Sequence, residues 1–293
     1  MTTVDAPRAV TTPGDATPPV RKAASMSIYN PRHANSRLKF VRPSRWLPVT
    51  VMVAVLAVLW QIGTVTMPYL LPPLSTIGDT MFGNPTFYLK NAWITLQEAL
   101  IGLVIAFVAS FLLAIVMSEI PIVRRAVMPL AVVMNVTPLV AIAPALVVAF
   151  GFGPEPKLIV TALCCFFPIL INVSIGLRTV PAPVLQFYTT IKASRAEMLW
   201  HVRIPSSLPY LFAALKIVFP LSIIGAVVAE MAAPGAAEGL GTVITMASSN
   251  NKLPVIYASI FVLAMMGSAL LAVVTAAEKK VLHWHESRVG ALE

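Results

Sequence analysis

The chain has 293 residues, of which 58% are hydrophobic and only 11% are charged, and its formal net charge is +9. A soluble domain carries about 25% charged residues, so this composition excludes a typical soluble enzyme, a disordered scaffold and a nucleic-acid-binding module. What the positive charge means depends on where it lies along the chain.

Residues 1–46 form the first region. They hold eight Lys or Arg residues and two Asp, are rich in proline, and contain no long apolar run. Such a segment cannot bury enough apolar surface to fold. We therefore predict a disordered, basic, proline-rich cytoplasmic arm.

Six predicted transmembrane helices form the second region, residues 47–277. A helix needs about 20 apolar residues to cross the hydrocarbon core of a bilayer, and long runs here carry no charge. The fifth span is less clean, because it contains Glu230 and is preceded by Lys216. The spans are predicted at 47–65, 96–118, 126–148, 158–177, 212–232 and 255–277, which defines an all-α polytopic membrane protein.

Basic residues are distributed unequally over the predicted loops. With six spans, 17 of the 21 Lys and Arg residues lie on the side of the two termini, and three, Lys90, Lys157 and Lys252, lie on the opposite side. Because basic loops stay in the cytoplasm, both termini are predicted to be cytoplasmic, with a C-terminal tail at 278–293. No Lys or Arg is predicted deep inside a span.

Motifs for catalysis and metal binding are not evident. All four histidines lie outside the predicted spans, so an intramembrane protease would lack a base, and His283 and His285 supply only two metal ligands. The chain has no P-loop or zincin motif. We therefore predict that it is not an enzyme and holds no cofactor or metal, and that any ATP and Mg are bound by a partner chain.

The longest internal cytoplasmic loop, 178–208, carries the most specific local pattern. Ser194 and Glu197 have the spacing of a capping box, which predicts a short helix with Met198 on its apolar face. Pro205 is predicted to end this helix. The helix could lie on the lipid headgroups or dock a cytoplasmic partner, and its periodicity leaves both interpretations open.

This loop resembles the EAA loop of permease subunits of bacterial ABC importers. Val202-Arg203-Ile204-Pro205 match the end of the family pattern, whereas Gln186-Phe187-Tyr188 occupy its E-A-A positions and Lys192 its glycine position. Glycine suits a left-handed turn between the two short helices of the family loop, where lysine would cost roughly 1 kcal/mol. The coupling residues that the resemblance implies are Lys192, Ala193, Ser194, Arg195, Glu197, Met198 and Pro205.

Other segments resemble the nitrate, sulfonate and taurine permeases of that family, and those for thiamine and riboflavin precursors. The resemblance covers about residues 47–280 and implies the permease fold of a type I ABC importer. The matching segments are Leu71-Pro72-Pro73, Phe150-Gly151-Phe152-Gly153, Phe166-Phe167-Pro168-Ile169 with Asn172, Pro205 to Lys216, Val227-Val228-Ala229-Glu230 and Glu238-Gly239-Leu240-Gly241.

The resemblance also implies partners and a function. Such permeases lie in the bacterial plasma (inner) membrane as homodimers or heterodimers, between an extracytoplasmic substrate-binding protein and a cytoplasmic ABC ATPase dimer. The chain would form the translocation path for a small organic solute (sulfonate, nitrate, taurine or vitamin-precursor-like). The alternative is a gradient-driven secondary transporter or channel, which usually shows a carboxylate relay or inverted repeats. Only Glu230 comes close, and no repeat is visible.

Polar residues at membrane depth are the candidates for the translocation path, because they are costly to keep there. Interhelical hydrogen bonding is the alternative for Asn135, Thr137 and Ser222, and a structural hydrogen bond is the alternative for Glu230. Glu98, at the predicted start of the second span, is interpreted as a partner of the helix dipole. The path candidates are Asn135, Thr137, Asn172, Ser222 and Glu230.

Overall fold

A computed structural model describes residues 43–233 and 238–282, and all regular secondary structure in these ranges is helical. Most of the predicted N-terminal arm and C-terminal tail lies outside the described residues. A 3₁₀ turn (Leu139–Ile142) and a π-helical turn (Leu199–Arg203) supplement the α-helices. These are α1 (Pro43–Thr66), α2 (Leu74–Gly83), α3 (Pro85–Glu119), α4 (Pro121–Val136), α5 (Ala143–Phe150), α6 (Pro154–Gly176), α7 (Ala182–Thr190), α8 (Arg195–Met198), α9 (Ile204–Ala232), α10 (Leu240–Ser249) and α11 (Leu253–Val281).

The chain divides into two compact units, Met1–Ala54 and Val55–Glu293. The described part of the first unit is the beginning of α1. Its apolar side chains face outward, and Leu47 and Val49 are 62% and 60% exposed. A helix that exposes apolar side chains in this way is suited to contact with lipid.

The core of the second unit lies where α3, α6 and α9 pack against one another. Two glycines allow the close approach. A Cβ at Gly102 would lie 2.6 Å from the Cβ of Thr161, and one at Gly225 would lie 3.1 Å from the Cα of Thr161. Small residues at such contacts let helices pack closely in a bilayer, where hydrophobic burial does not drive their association.

Five helices in the described ranges are long and apolar enough to cross a membrane. They confirm five of the predicted spans as long helices, although several begin earlier than predicted. The helix of the second predicted span begins at Pro85, and that of the fifth predicted span begins at Arg195. The five are Leu47–Thr66, Pro85–Glu119, Pro154–Gly176, Arg195–Ala232 and Leu253–Val281.

The third predicted span, 126–148, is wrong as a single helix. Helix α4 ends at Val136, and Thr137 has extended backbone angles of φ −69° and ψ +131°. The next residue is Pro138, whose ring disfavours a helical conformation at the preceding residue. The chain then resumes helical structure in the 3₁₀ turn and α5. Proline therefore divides this apolar stretch into two shorter helices.

Candidate functional site: a coupling segment and an anchored helix

The candidate coupling segment, residues 182–205, begins with α7 and a tight turn. The N–H of Lys192 donates to the carbonyl of Thr189 (3.0 Å), and that of Ala193 donates to the carbonyl of Tyr188 (3.0 Å). These two bonds form a Schellman motif, and Lys192 occupies its left-handed position with φ +56°. Glycine would be favoured there, so lysine costs about 1 kcal/mol of backbone strain.

The predicted capping box at the start of α8 is confirmed. The backbone N–H of Ser194 donates to Oε2 of Glu197 (2.7 Å), and the N–H of Glu197 donates to Oγ of Ser194 (3.2 Å). Both side chains are exposed. The start of this helix is therefore stabilised by its own residues and needs no partner elsewhere in the chain.

The predicted end of this helix at Pro205 is wrong. Helix α8 continues through the π-helical turn into α9, so that Arg195–Ala232 forms one helix of 38 residues. Pro205 is the second residue of α9 and therefore lies inside this continuous helix, directly after the π-helical turn. The π-helical turn before it widens the backbone and makes room for the ring. The candidate coupling segment is thus continuous with a membrane-spanning helix.

A second contact joins the base of α9 to the end of α3. Nη1 of Arg203 donates to Oε1 of Glu119 at 2.8 Å and to the carbonyl of Ser118 at 3.3 Å. Charge-assisted hydrogen bonds of this kind are stronger than neutral ones. A displacement of the candidate coupling segment would therefore act on two of the three core helices.

The candidate coupling segment also exposes large apolar side chains. Phe187 is 61% exposed, Ile191 57% and Trp200 66%. Exposed large apolar side chains of this kind are typical of a protein-interaction surface. Of the predicted coupling residues, Lys192, Ser194, Arg195, Glu197 and Pro205 are exposed, whereas Ala193 and Met198 are partly buried.

The start of α10 is held by side chains from two other helices, a contact that we call the α10 anchor. The N–H of Gly239 donates to Oδ1 of Asn91 (2.9 Å), and that of Leu240 to Oγ1 of Thr95 (2.9 Å). The N–H of Gly241 donates to Oε2 of Glu230 (2.5 Å). Thr95 in turn donates to Oε1 of Glu230 (2.7 Å). Three backbone donors that a helix start leaves unpaired are thus satisfied.

The α10 anchor leaves no room for side chains in its glycines. A Cβ at Gly239 would lie 2.3 Å from Oε1 of Glu230, and one at Gly241 would lie 2.4 Å from the carbonyl of Val227. Gly239 also has φ +139°, a region that side chains disfavour. Both glycines are therefore required by this packing.

A buried ion pair lies beside the anchor and corrects two predictions. Lys157, predicted in a loop, is 1% exposed in α6, and its Nζ donates to Oε1 of Glu98 at 2.8 Å. Glu98 lies 13 residues after the start of α3 at Pro85, so the predicted helix-dipole role is wrong. The ion pair with Lys157 compensates the charge of the buried Glu98 carboxylate and joins α6 to α3.

A cleft of about 520 Å³ lies between the beginning of α3 and α10. Its lining combines the aromatic side chains of Phe87 and Tyr88 with the amide of Asn91, which also holds α10. Lys90 and Glu238, which form an ion pair, line the same cleft. Apolar walls with a few polar groups are typical of small-molecule sites.

None of the described side-chain hydrogen bonds joins one predicted path residue to another. Thr137, Asn172 and Ser222 donate to carbonyls of their own helices at 2.9, 2.8 and 2.8 Å, so these bonds do not join helices. Asn135 is exposed on α4. Glu230 alone of the five makes the interhelical bonds described above, and none of the five lines the α3–α10 cleft.

Five long apolar helices and a buried polar network in the described ranges define a polytopic membrane protein. Residues 102–281 match the family described as the binding-protein-dependent transport system inner membrane component. The chain therefore belongs to this family of ABC transporter permeases.

Similar proteins match most of the chain. It is 32% identical to the formylaminopyrimidine transport permease protein ThiX of Halalkalibacterium halodurans, over 83% of this chain and 97% of that protein. It is 30% identical to the riboflavin transport system permease protein RibX of Chloroflexus aurantiacus, over 85% of this chain and 93% of that one. The taurine transport system permease protein TauC of Escherichia coli is 28% identical, over 88% and 98%.

The fold also resembles a solved structure. A chain in the crystal structure of an amino acid ABC transporter with histidines superposes with a TM-score of 0.56 at 14% sequence identity. The match covers 69% of this chain and 97% of that chain. At this identity the likeness concerns the fold alone.

Proposed function

We propose that the chain is the permease subunit of an ATP-driven importer and that residues 182–205 couple it to a separate ATPase. The observation that carries this proposal is the continuity of the capped helix α8 with the spanning helix α9. A force applied to a stiff helix start is transmitted along the helix. The bond between Arg203 and Glu119 extends this force to α3.

The ATPase partner docks on the exposed apolar side chains of the candidate coupling segment. Phe187, Ile191 and Trp200 supply large buried contacts of the kind that dominate interface energies. ATP and Mg are bound by this partner. A membrane protein bearing such a surface at one end fits a cytoplasmic ATPase dimer that closes and opens beneath it.

We propose six membrane crossings with both termini in the cytoplasm. Helices α4 and α5, with the 3₁₀ turn between them, form the third crossing, because non-helical backbone at membrane depth is tolerated when it is buried in protein or lines a cavity. The positive charge of the loops on the side of the termini supports this orientation. Thiol labelling of Asn84→Cys from outside the cell and of Lys192→Cys only after permeabilisation would be the expected result.

The substrate path runs between this chain and a second permease copy, and an extracytoplasmic binding protein delivers a small solute to it. ThiX, RibX and TauC are named as transport permeases for formylaminopyrimidine, riboflavin and taurine. The α3–α10 cleft offers the aromatic faces of Phe87 and Tyr88 beside an amide. Such a lining suits a planar organic molecule better than an inorganic anion.

Reconstitution tests ATP-driven import against the gradient-driven alternative. Proteoliposomes containing the chain, its ATPase and its binding protein are expected to take up solute only with ATP and only with all three components. Liposomes with the purified chain alone should show no uptake under an imposed proton or sodium gradient. Gradient-driven uptake by the chain alone would overturn the proposal.

A further inference from the structure

A second cleft, of about 690 Å³, is lined by three arginines. Arg124 and Arg125 belong to α4, and Arg178 follows the end of α6. This cleft lies at the coupling end of the molecule, because α4 begins directly after Glu119, which holds Arg203. We call it the arginine cleft.

The charge of the arginine cleft is not neutralised by the described residues. No acidic side chain is among the described residues that line it. None of its guanidinium groups forms an ion pair with a described carboxylate. By contrast, Arg203 and Lys216, which belong to the neighbouring α9 region, are both paired with glutamates. A concave site with uncompensated guanidinium groups favours an anion, and phosphate, like carboxylate, presents oxygens that guanidinium binds in a bidentate manner.

The arginine cleft also has an apolar wall. Val132 and Ile175 line it, and both are exposed, at 48% and 47%. Hydroxyl-bearing Ser174 and Thr179 lie on the same lining. A water-soluble anion would leave the two apolar side chains uncovered, whereas an amphiphile with a phosphate head and a hydrocarbon tail would cover both parts.

We propose that the arginine cleft binds an anionic phospholipid, with the phosphate between the arginines and an acyl chain against Val132 and Ile175. The proposal rests on the proposed function only in placing this end at the cytoplasmic leaflet. Basic pockets between transmembrane helices on that side are suited to anionic headgroups. The bound lipid would join the start of α4 to the end of α6, because Arg178 lies just after the end of α6.

Native mass spectrometry of the purified chain tests the proposal without an ATPase or a substrate. The chain is released from detergent after incubation with equal amounts of cardiolipin and phosphatidylcholine. We expect preferential retention of cardiolipin, and about a tenfold or greater loss of that retention in the double variant Arg124→Gln with Arg178→Gln. The matched control, Lys279→Gln with Lys280→Gln, removes two exposed basic charges at the end of α11 and should keep it.

Further arms of the experiment distinguish other occupants. If the site binds a lipid, inorganic phosphate should not change the retention of cardiolipin. Loss of bound cardiolipin at millimolar phosphate would overturn the proposal and indicate a site for a free anion. Photo-cross-linking uses a phospholipid with a diazirine in its headgroup and the wild-type chain. This test therefore remains valid even if a variant fails to fold. Labelling of peptides containing Arg124 and Arg178 is expected. Absence of label from both of these peptides, or a disulfide between two copies of Arg178→Cys, would contradict the proposal.

Discussion

The candidate coupling segment and the α10 anchor satisfy the start of a helix in opposite ways. Helix α8 is capped by Ser194 and Glu197 of its own segment. Helix α10 is capped by Asn91, Thr95 and Glu230, which belong to α3 and α9. Local capping satisfies a helix start with residues of its own segment, whereas capping by side chains of other helices fixes the helix start to the bundle.

The difference matches the work that each region would do. A segment that transmits force to a partner benefits from stiffness together with an exposed surface, and the side chains of Phe187 and Trp200 are exposed. A helix that lines a solute cleft benefits from a fixed position, and α10 forms one wall of the α3–α10 cleft. Substitutions in the two regions should therefore have different consequences for stability and for coupling.

The largest expected effect breaks the buried ion pair beside the anchor. Lys157→Met leaves Glu98 buried without its partner, and we expect about 3–5 kcal/mol of lost unfolding free energy. The double variant Lys157→Met with Glu98→Gln removes the charge as well and should recover most of that loss. Unfolding in detergent, analysed as a double-mutant cycle, measures both. Equal destabilisation in the single and double variants would contradict the assigned pairing.

The second prediction concerns the glycine that lets the anchor close. Gly239→Ala puts a Cβ against Glu230 and strains a backbone at φ +139°, so we expect a loss of about 2–3 kcal/mol. Gly78→Ala is the matched control, because nothing lies within 4 Å of its added Cβ. Inside α2 it should be neutral or stabilising by up to about 1 kcal/mol. Thermal unfolding of both variants makes the comparison, and similar melting temperatures would argue against the anchor.

The smallest prediction sharpens the description of the coupling turn. Lys192→Gly relieves the left-handed strain at φ +56° and should stabilise the turn by about 1 kcal/mol. Lys192→Ala keeps the Cβ and should bring no such gain. Hydrogen exchange at the amides of Ala193 and Ser194 reports on this turn directly. Slower exchange in both variants would show that the lysine head group, and not the backbone, determines turn stability.

Local features were predictable from the sequence. The capping box depends on Ser194 and Glu197, three residues apart, and the spacing alone identified it. The position at which the family pattern has glycine was also identified, although only the structure shows that Lys192 adopts the left-handed turn. Five long apolar helices followed from composition because bilayer thickness sets their length.

Features that depend on distant residues were missed. Asn91 and Thr95 contact residues 148 and 145 positions away, a separation that no local pattern encodes. Together with Glu98 they have the spacing i, i+4 and i+7, which puts three polar side chains on one face of a helix. This spacing was the one sequence signal that could have indicated a buried polar contact. Lys157 was assigned to a loop from its charge alone, because the sequence does not show that Glu98 pairs with it in the folded protein. The break at Thr137 was predictable from Pro138.

The central claim is that the candidate coupling segment transmits ATP-driven motion to α9. Its most direct test is the number of solute molecules imported per ATP hydrolysed in proteoliposomes with the complete transporter. We expect Ala193→Trp and Glu197→Lys to lower this ratio about tenfold or more while ATP hydrolysis continues, because rigid contacts tolerate little misplacement. The control Lys279→Glu reverses a charge at the end of α11 and should leave the ratio unchanged. Wild-type ratios in both coupling variants would contradict the claim.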